Sequence, residues 1–411
     1  MTGVVIIGAG QGGFQLAASL RQEGYEGPVT LIGDEPGRPY QRPPLSKAYL
    51  KDGRVDAIEL RPESFFDRNA ITLMASERVI RIDRNAKAIE TLGGVAIAYD
   101  HLVLATGARN FVPPIKGLDG RGAFGLRTAE DACRLRDALA RSSRRPIVIG
   151  GGFIGLEFAA VAAAGGHEAT VVEAAERLMA RALSPAMSQH FLDYHTKSGT
   201  RLVRGAAVTE ILRDQAGDVV GARLADGEVI DGDMVLVAAG IRPNVELAEQ
   251  AGLTVANGIV VDGFLRTSDP DISALGDCAA FPDPSSGRSI RLESVQAATD
   301  HARTIARRLT GKPHAYEAVP WFWSDQGPLK LQIAGLGIGA DEDHAIEKED
   351  GRKLVFRFKL GKLLALETIN AAAEHMAARQ LLKSPAKVKF GELAQCGFDI
   401  GGLAKARKVQ T

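Results

Sequence analysis

Two glycine clusters, each followed by an acid at a fixed offset, are the residues of this chain best placed to do chemistry. The first, Gly8-Ala9-Gly10-Gln11-Gly12-Gly13, follows an apolar run from Val4 to Ile7 and opens a helix-like stretch from Phe14 to Gln22, ahead of a β-rich run from Val29 to Ile32. In such a G-x-G-x-x-G turn the first glycine bends the chain, the second lets the backbone approach a pyrophosphate, and the third lets helix and strand pack closely. The phosphates then rest on the helix N-terminus. Asp34, 21 residues past Gly13, is placed to bind ribose hydroxyls. Three glycines alone are also an ordinary structural turn, but the strand, the helix and the acid together favour a dinucleotide.

The second cluster, Gly150-Gly151-Gly152-Phe153-Ile154-Gly155, follows Ile147 to Ile149 and opens a helix-like stretch from Phe153 to Ala164. A strand from Thr170 to Val172 comes next, and Glu173 lies 18 residues past Gly155. Two fingerprints imply two dinucleotides. A carboxylate at the second ribose favours hydroxyls over a 2′-phosphate, so Glu173 points to NAD, although Arg177 and Arg181 follow closely and could accommodate a phosphate. The most economical pair is FAD and NAD, with hydride passing from nicotinamide to flavin.

The elements that must position these groups repeat about 140 residues apart, a duplicated β-α-β unit rather than a short-period solenoid. Each copy is closed by a buried strand ending in a glycine turn, Tyr99 to Gly107 with Ala105, Thr106 and Gly107 at the turn, and Asp233 to Gly240. Pro113, Pro114 and Gly117 mark a crossing out of the first region, and Arg242-Pro243-Asn244 a crossing back. The expected class is α/β, with two Rossmann-like dinucleotide-binding domains in a glutathione reductase-like arrangement and a C-terminal α+β domain. The expected domains are residues 1–110 with 244–320 for FAD, 111–243 for NAD, and 321–411.

Composition narrows the field. The chain has 411 residues, Lys+Arg 50 against Asp+Glu 50, 45% hydrophobic residues and 46 Gly. This suits two or three packed domains and argues against disorder and against bulk nucleic-acid binding. Cys133, Cys278 and Cys396 are too scattered for a disulfide framework, a CxxC pair or a zinc knuckle. No apolar run is long enough for a transmembrane helix, the first residues do not read as a signal peptide, and the eight histidines show no metal-ligand spacing. A cytoplasmic location is the expectation.

The segment Tyr40-Gln41-Arg42-Pro43-Pro44-Leu45-Ser46-Lys47 resembles the signature of the oxygenase-coupled, NADH-dependent ferredoxin reductases. Leu126-Arg127-Thr128, Gly276-Asp277-Cys278-Ala279, Leu292-Glu293-Ser294-Val295 and Trp321-Phe322-Trp323-Ser324-Asp325-Gln326 are similar to that family in the same order. The resemblance implies that Asp277 accepts a hydrogen bond from the ribityl chain, that Lys47 lies beside the isoalloxazine, and that Arg42, Val79, Arg127, Val295 and Trp321 contact FAD. It also implies that Glu157 faces the flavin and pairs with Lys47. From the residues alone, Asp277 reads as a helix N-cap, Val79 and Val295 as core, Trp321 as an aromatic anchor, and Glu157 as a first-turn acid favoured by the helix dipole.

Disulfide reductases of this architecture need a cysteine pair beside the flavin, and none is available. Cys278 reads as a small buried residue. A flavin that takes hydride but has no thiol to pass it to suits a one-electron protein carrier, a [2Fe-2S] ferredoxin, which is usually acidic. From Gly351 to Thr411 there are twelve Lys and Arg against four Asp and Glu, a surplus of eight, so a basic face at this end is expected to meet it. Other readings are an NADH oxidase or monodehydroascorbate-type reductase, or a flavoprotein that senses NAD without turning over. Family relatives suggest a monomer or weak dimer.

Overall fold

A computed structural model of the chain describes residues 2–140, 144–283, 287–384 and 386–409. The chain divides into two compact units, one of residues 1–42, 54–109 and 241–318 and the other of 43–53, 110–240 and 319–411.

The first unit is built on a five-stranded parallel sheet whose strands lie in the order Ile272–Ala274, His101–Leu104, Val4–Ile7, Val29–Ile32 and Ile71–Met74. Val4–Ile7 and His101–Leu104 are buried along their whole length. That burial explains their run of β-branched and aliphatic residues, since a parallel strand is covered on both faces. The helices Gln11–Gln22 and Val295–Leu309 pack on each other, the latter through an apolar face that includes Ala298, Ala302 and Ile305. A three-stranded antiparallel sheet, Val79–Asp83, Ala88–Thr91 and Ala96–Ala98, completes the main architecture.

The second unit repeats that order. Its parallel sheet runs Ala123–Phe124, Met234–Val237, Pro146–Ile149, Thr170–Glu173 and Arg201–Arg204. Register makes the duplication concrete: Gly8 N–H donates to Ile32 O at 2.7 Å, and Gly150 N–H donates to Val172 O at 2.8 Å. The unit also holds a three-stranded sheet, Val208–Arg213, Val219–Leu224 and Val229–Asp231. The C-terminal part is a five-stranded antiparallel sheet in the order Trp321–Gln326, Leu329–Gly335, Lys362–Ile369, Lys353–Lys359 and Glu342–Glu347. The helices Ala372–Lys383 and Ile400–Val409 close a core of Phe356, Phe358, Leu366, Leu381 and Leu393 over it.

Candidate active site

The two glycine turns have nearly the same geometry. Gly8 has φ +111° and Gly150 φ +112°, the left-handed side of backbone space that only glycine enters without strain. A Cβ at Gly8 would lie 2.1 Å from Ala105 O, and one at Gly150 2.4 Å from Ala238 O, so each turn is pressed against the strand-end turn of its own sheet. Gly13 and Gly155 approach the carbonyls of Gly8 and Gly150 as closely, at 1.9 and 2.1 Å from a notional Cβ, while at Gly12 a Cβ would meet Leu275 Cδ1.

At Gly10 and Gly152 the opposite holds, with nothing within 4 Å of a Cβ. Both are helix N-caps, and neither supplies a side-chain cap, whereas Thr128, Ser184 and Ser294 cap the helices that follow them. Open space in front of uncapped first-turn N–H groups fits a pyrophosphate at each turn.

The two acids expected to meet ribose, Asp34 and Glu173, are not at equivalent positions. Since Ile32 matches Val172, Glu173 matches Gly33, and the exposed Asp34 lies one residue further on. Glu173 Oε2 accepts Gly151 N–H at 2.6 Å and its Oε1 accepts Ala175 N–H at 2.8 Å, which holds the carboxylate at the rim of the second turn. The Arg177 guanidinium donates to Ser188 Oγ, Leu183 O and Ala180 O within its own loop. Arg181 remains exposed. Gly240, φ +107°, accepts Phe111 N–H through its carbonyl, and Ile154 stays 41% exposed on the nucleotide helix.

In the first unit, Arg42 forms a 2.5 Å ion pair with Glu35, whose other oxygen accepts the Tyr40 hydroxyl. Sequence reasoning missed Glu35, although it adjoins Asp34. Asp277 sits in a 3-10 turn, Gly276–Cys278, whose N-cap is Leu275, while Ser294 caps the helix Val295–Leu309. Gly276 N–H donates to Nδ1 of His301, a residue with no assigned role in the sequence reading. His301 is fully buried between Phe281 and Tyr316, and burial pushes its imidazole down to about 3. Cys278 is fully buried, its thiol donating to Leu275 O, and burial pushes its pKa up.

Thr106 Oγ1 donates to Asn244 O at 2.7 Å, and Asn244 Nδ2 donates back to Thr106 O, which fixes the turn carrying Ala105 and Gly107. Val295 is the first residue of its helix and half-buried, so it is not core. Val79, 6% exposed, packs in the main core of the unit.

In the second unit, Pro43–Ser46 forms a 3-10 turn that delivers Lys47 to the N-cap of the short helix Ala48–Asp52. Lys47 Nζ lies 2.8 Å from Glu157 Oε2, so the two are brought together. Glu157 is the fifth residue of Phe153–Ala164, whose first turn contains no acid, so the helix dipole is not what holds it. It is 3% exposed and accepts from Ser46 Oγ on Oε2 and from Ser324 Oγ on Oε1, at 2.5 and 2.7 Å. Gln326 Nε2 donates to Ser324 Oγ at 3.2 Å, and Gln326 Oε1 meets His195 Nε2 at 2.8 Å. Ser46, Ser324 and Gln326 all lie inside motifs visible in the sequence, but nothing local shows that they converge.

Trp321 stacks on Trp323 with ring centres 5.5 Å apart, and the Arg379 guanidinium lies 4.4 Å from the Trp321 ring centre. Arg127 N–H donates to Asp131 just before the Thr128 capping box.

The basic surplus of residues 351–411 shrinks when the whole C-terminal part from residue 321 is counted. Residues 321–350 bring seven acids and two bases, so the stretch 321–411 holds 14 bases against 11 acids. The count from residue 351 cut a hairpin in two: register places Asp343 opposite Arg357 and Glu347 opposite Lys353, and both pairs form ion contacts. Arg352 pairs with Asp350 and Glu374, and Arg407 with Glu392. Lys383, Lys387, Lys389, Lys405 and Lys408 are exposed.

Residues 2–302 match the pyridine nucleotide-disulphide oxidoreductases, and residues 321–404 match a domain described as reductase C-terminal. The chain belongs to the pyridine nucleotide-disulphide oxidoreductase family. It is 48% identical to rhodocoxin reductase of Rhodococcus erythropolis, over 99% of this chain and 95% of that one. The ferredoxin reductase for the CYP199A2 system from Rhodopseudomonas palustris superposes with a TM-score of 0.95 at 45% identity, over 98% of this chain and all of that one. A covalent putidaredoxin reductase–putidaredoxin complex matches with a TM-score of 0.94 at 35% identity, over 99% of both chains. FAD and a nicotinamide dinucleotide are the cofactors of this oxidoreductase family, and the duplicated turns fit one of each. Among the described residues no helix is long and apolar enough to cross a membrane, and no cluster of metal-ligand side chains is present.

Proposed function

We propose that this chain is an FAD-dependent reductase that oxidises NADH and delivers electrons one at a time to a [2Fe-2S] ferredoxin serving a cytochrome P450 or a ring-hydroxylating oxygenase. The observation that carries this reading is full-length similarity to rhodocoxin reductase, to the reductase of the CYP199A2 system and to a putidaredoxin reductase bound to putidaredoxin. The three cysteines are free, and Cys278 is buried in a turn, which agrees with delivery outward rather than to a disulfide.

Bound FAD would supply the chemistry that links two-electron oxidation of NADH to a one-electron carrier. The first unit would hold it through the Gly8–Gly13 turn, Asp34, Arg42, Thr106, Asp277 and Val295. The second would hold NAD through Gly150, Gly152, Ile154, Gly155, Glu173 and Gly240. Lys47 keeps a positive charge in place where negative charge develops, and Glu157 fixes that ammonium through their 2.8 Å ion pair. Glu173, tied to its turn, orients the ribose and repels a 2′-phosphate, which supports NADH over NADPH. The exposed lysines on and beside the two C-terminal helices supply a basic face for an acidic carrier. A monomer or weak dimer working in the cytoplasm, where NADH is produced, completes the reading.

The test is anaerobic mixing with NADH, followed by cytochrome c reduction with and without added ferredoxin. Bleaching of the flavin and ferredoxin-dependent cytochrome c reduction are expected. Equal rates without ferredoxin would exclude the carrier role and favour a small acceptor.

A further inference from the structure

Glu157 is the end of a polar chain that continues well past Lys47. Gln326 Nε2 donates to Ser324 Oγ at 3.2 Å and approaches Met179 Sδ at 3.7 Å, so its carbonyl Oε1 faces His195. A carbonyl only accepts, so His195 must donate from Nε2–H, at 2.8 Å, which leaves its buried Nδ1 without a hydrogen. Burial lowers the His195 pKa, in keeping with a neutral ring in that tautomer. Ser324 has then given its oxygen lone pairs to Gln326 and turns its O–H to Glu157 Oε1. Ser324, Gln326 and His195 are each fully buried, so water does not compete for these partners. Every donor in the sequence His195, Gln326, Ser324 points toward Glu157.

We infer that Ser324 and Gln326 are positioning residues for the reaction: their one-directional hydrogen-bond chain locks the Glu157 carboxylate in the rotamer that fixes the Lys47 ammonium. The inference deepens the proposed function, since it rests on Lys47 acting at the flavin. Its physical basis is that a carboxylate holding one oxygen on Ser324 and the other on Ser46 and Lys47 cannot rotate about its last torsion without breaking charge-assisted hydrogen bonds. A general packing role for these side chains would require only volume. The proposed role requires the direction of the chain, and a variant that keeps size but reverses direction separates the two.

Gln326→Glu is that variant. It replaces the donating amide with an accepting oxygen, which draws the Ser324 O–H away from Glu157. Ser324→Ala removes the donor outright, and Ser324→Thr keeps the hydroxyl. In flavin-free protein, acylation of Lys47 by acetic anhydride, read by peptide mass spectrometry, should quicken roughly tenfold in Ser324→Ala and Gln326→Glu, because one charge-assisted bond no longer restrains the pair. Ser324→Thr should restore the parent rate. In the FAD-loaded protein the flavin midpoint potential should fall in the first two variants and return in the third, with KM for NADH unchanged. Parent-like labelling and potential in both Ser324→Ala and Gln326→Glu would overturn the inference. Ferredoxin-dependent turnover of the parent protein, run alongside, shows whether the proposed function itself stands.

Discussion

Glu173 Oε2 accepts the backbone N–H of Gly151 at 2.6 Å, so the acid that ends the second strand of the duplicated unit is bonded to the glycine turn that ends the first. Its other oxygen accepts Ala175 N–H, so the carboxylate has one orientation before any nucleotide arrives. By register Asp34 corresponds not to Glu173 but to Ala174 of the second unit. The two halves of the duplication therefore share the geometry of the glycine turn but not the placement of the acid that follows it.

Replacing that anchored acid tests cofactor choice. Glu173→Arg is expected to lower the ratio of kcat/KM for NADH over NADPH by about a hundredfold, since removing a like-charge clash with a 2′-phosphate is worth several kcal/mol. Arg177→Ala should leave the ratio unchanged, because that guanidinium serves its own loop. An unaltered ratio in Glu173→Arg would remove Glu173 from the specificity role.

Lys47→Gln keeps length and removes charge. Stopped-flow reduction of the flavin by NADH should slow by about 10²- to 10³-fold, the usual cost of losing one group that stabilises developing charge. FAD content should be retained, since Lys47 is one contact among many. Reduction at the parent rate would assign Lys47 a structural role only.

The buried histidines set an acid limit on stability. Burial pushes His301 down to about 3 and His101 to about 4, whereas both would take up a proton near 6.5 in the unfolded chain. The unfolded state therefore binds more protons between those values. Their contribution is complete above about 6.5 and is lost progressively as pH falls toward 3. Thermal melts recorded from pH 7 to pH 4 should fall steeply in the parent and less steeply in His301→Phe, with equal slopes counting against the assignment. His301→Phe should also weaken FAD retention, because Gly276 N–H loses its acceptor beside Asp277.

Substitution of all three cysteines should leave ferredoxin-dependent turnover within about a factor of two, because Cys278 acts as a small buried residue rather than as a relay. The cost should fall on stability, at about 1 kcal/mol for the Cys278 cavity. Loss of electron delivery with the fold intact would point to thiol chemistry.

Much of the architecture was legible because it depends on short-range pattern. A buried parallel strand must be apolar on both faces, and a turn against a phosphate must lack Cβ atoms, so Val4–Ile7 with Gly8–Gly13 and Pro146–Ile149 with Gly150–Gly155 declare themselves. Charge was less legible. The surplus counted from residue 351 depended on where counting began, because the acids opposite those bases sit on the preceding strand of the same hairpin, and only register reveals that pairing.

The sequence by itself determined the duplicated dinucleotide fold and the pair of cofactors, written in local spacing and residue type, while Lys47 and Glu157 were singled out by the family resemblance. Only the tertiary structure decided what Glu157 is bonded to. Ser46 lies 111 residues before it, Ser324 lies 167 residues after it, and both oxygens of its carboxylate are claimed by residues from these distant segments. Hydrogen-bond direction needs atoms within about 3 Å and a known donor, and contacts made across such separations leave no periodic trace along the chain.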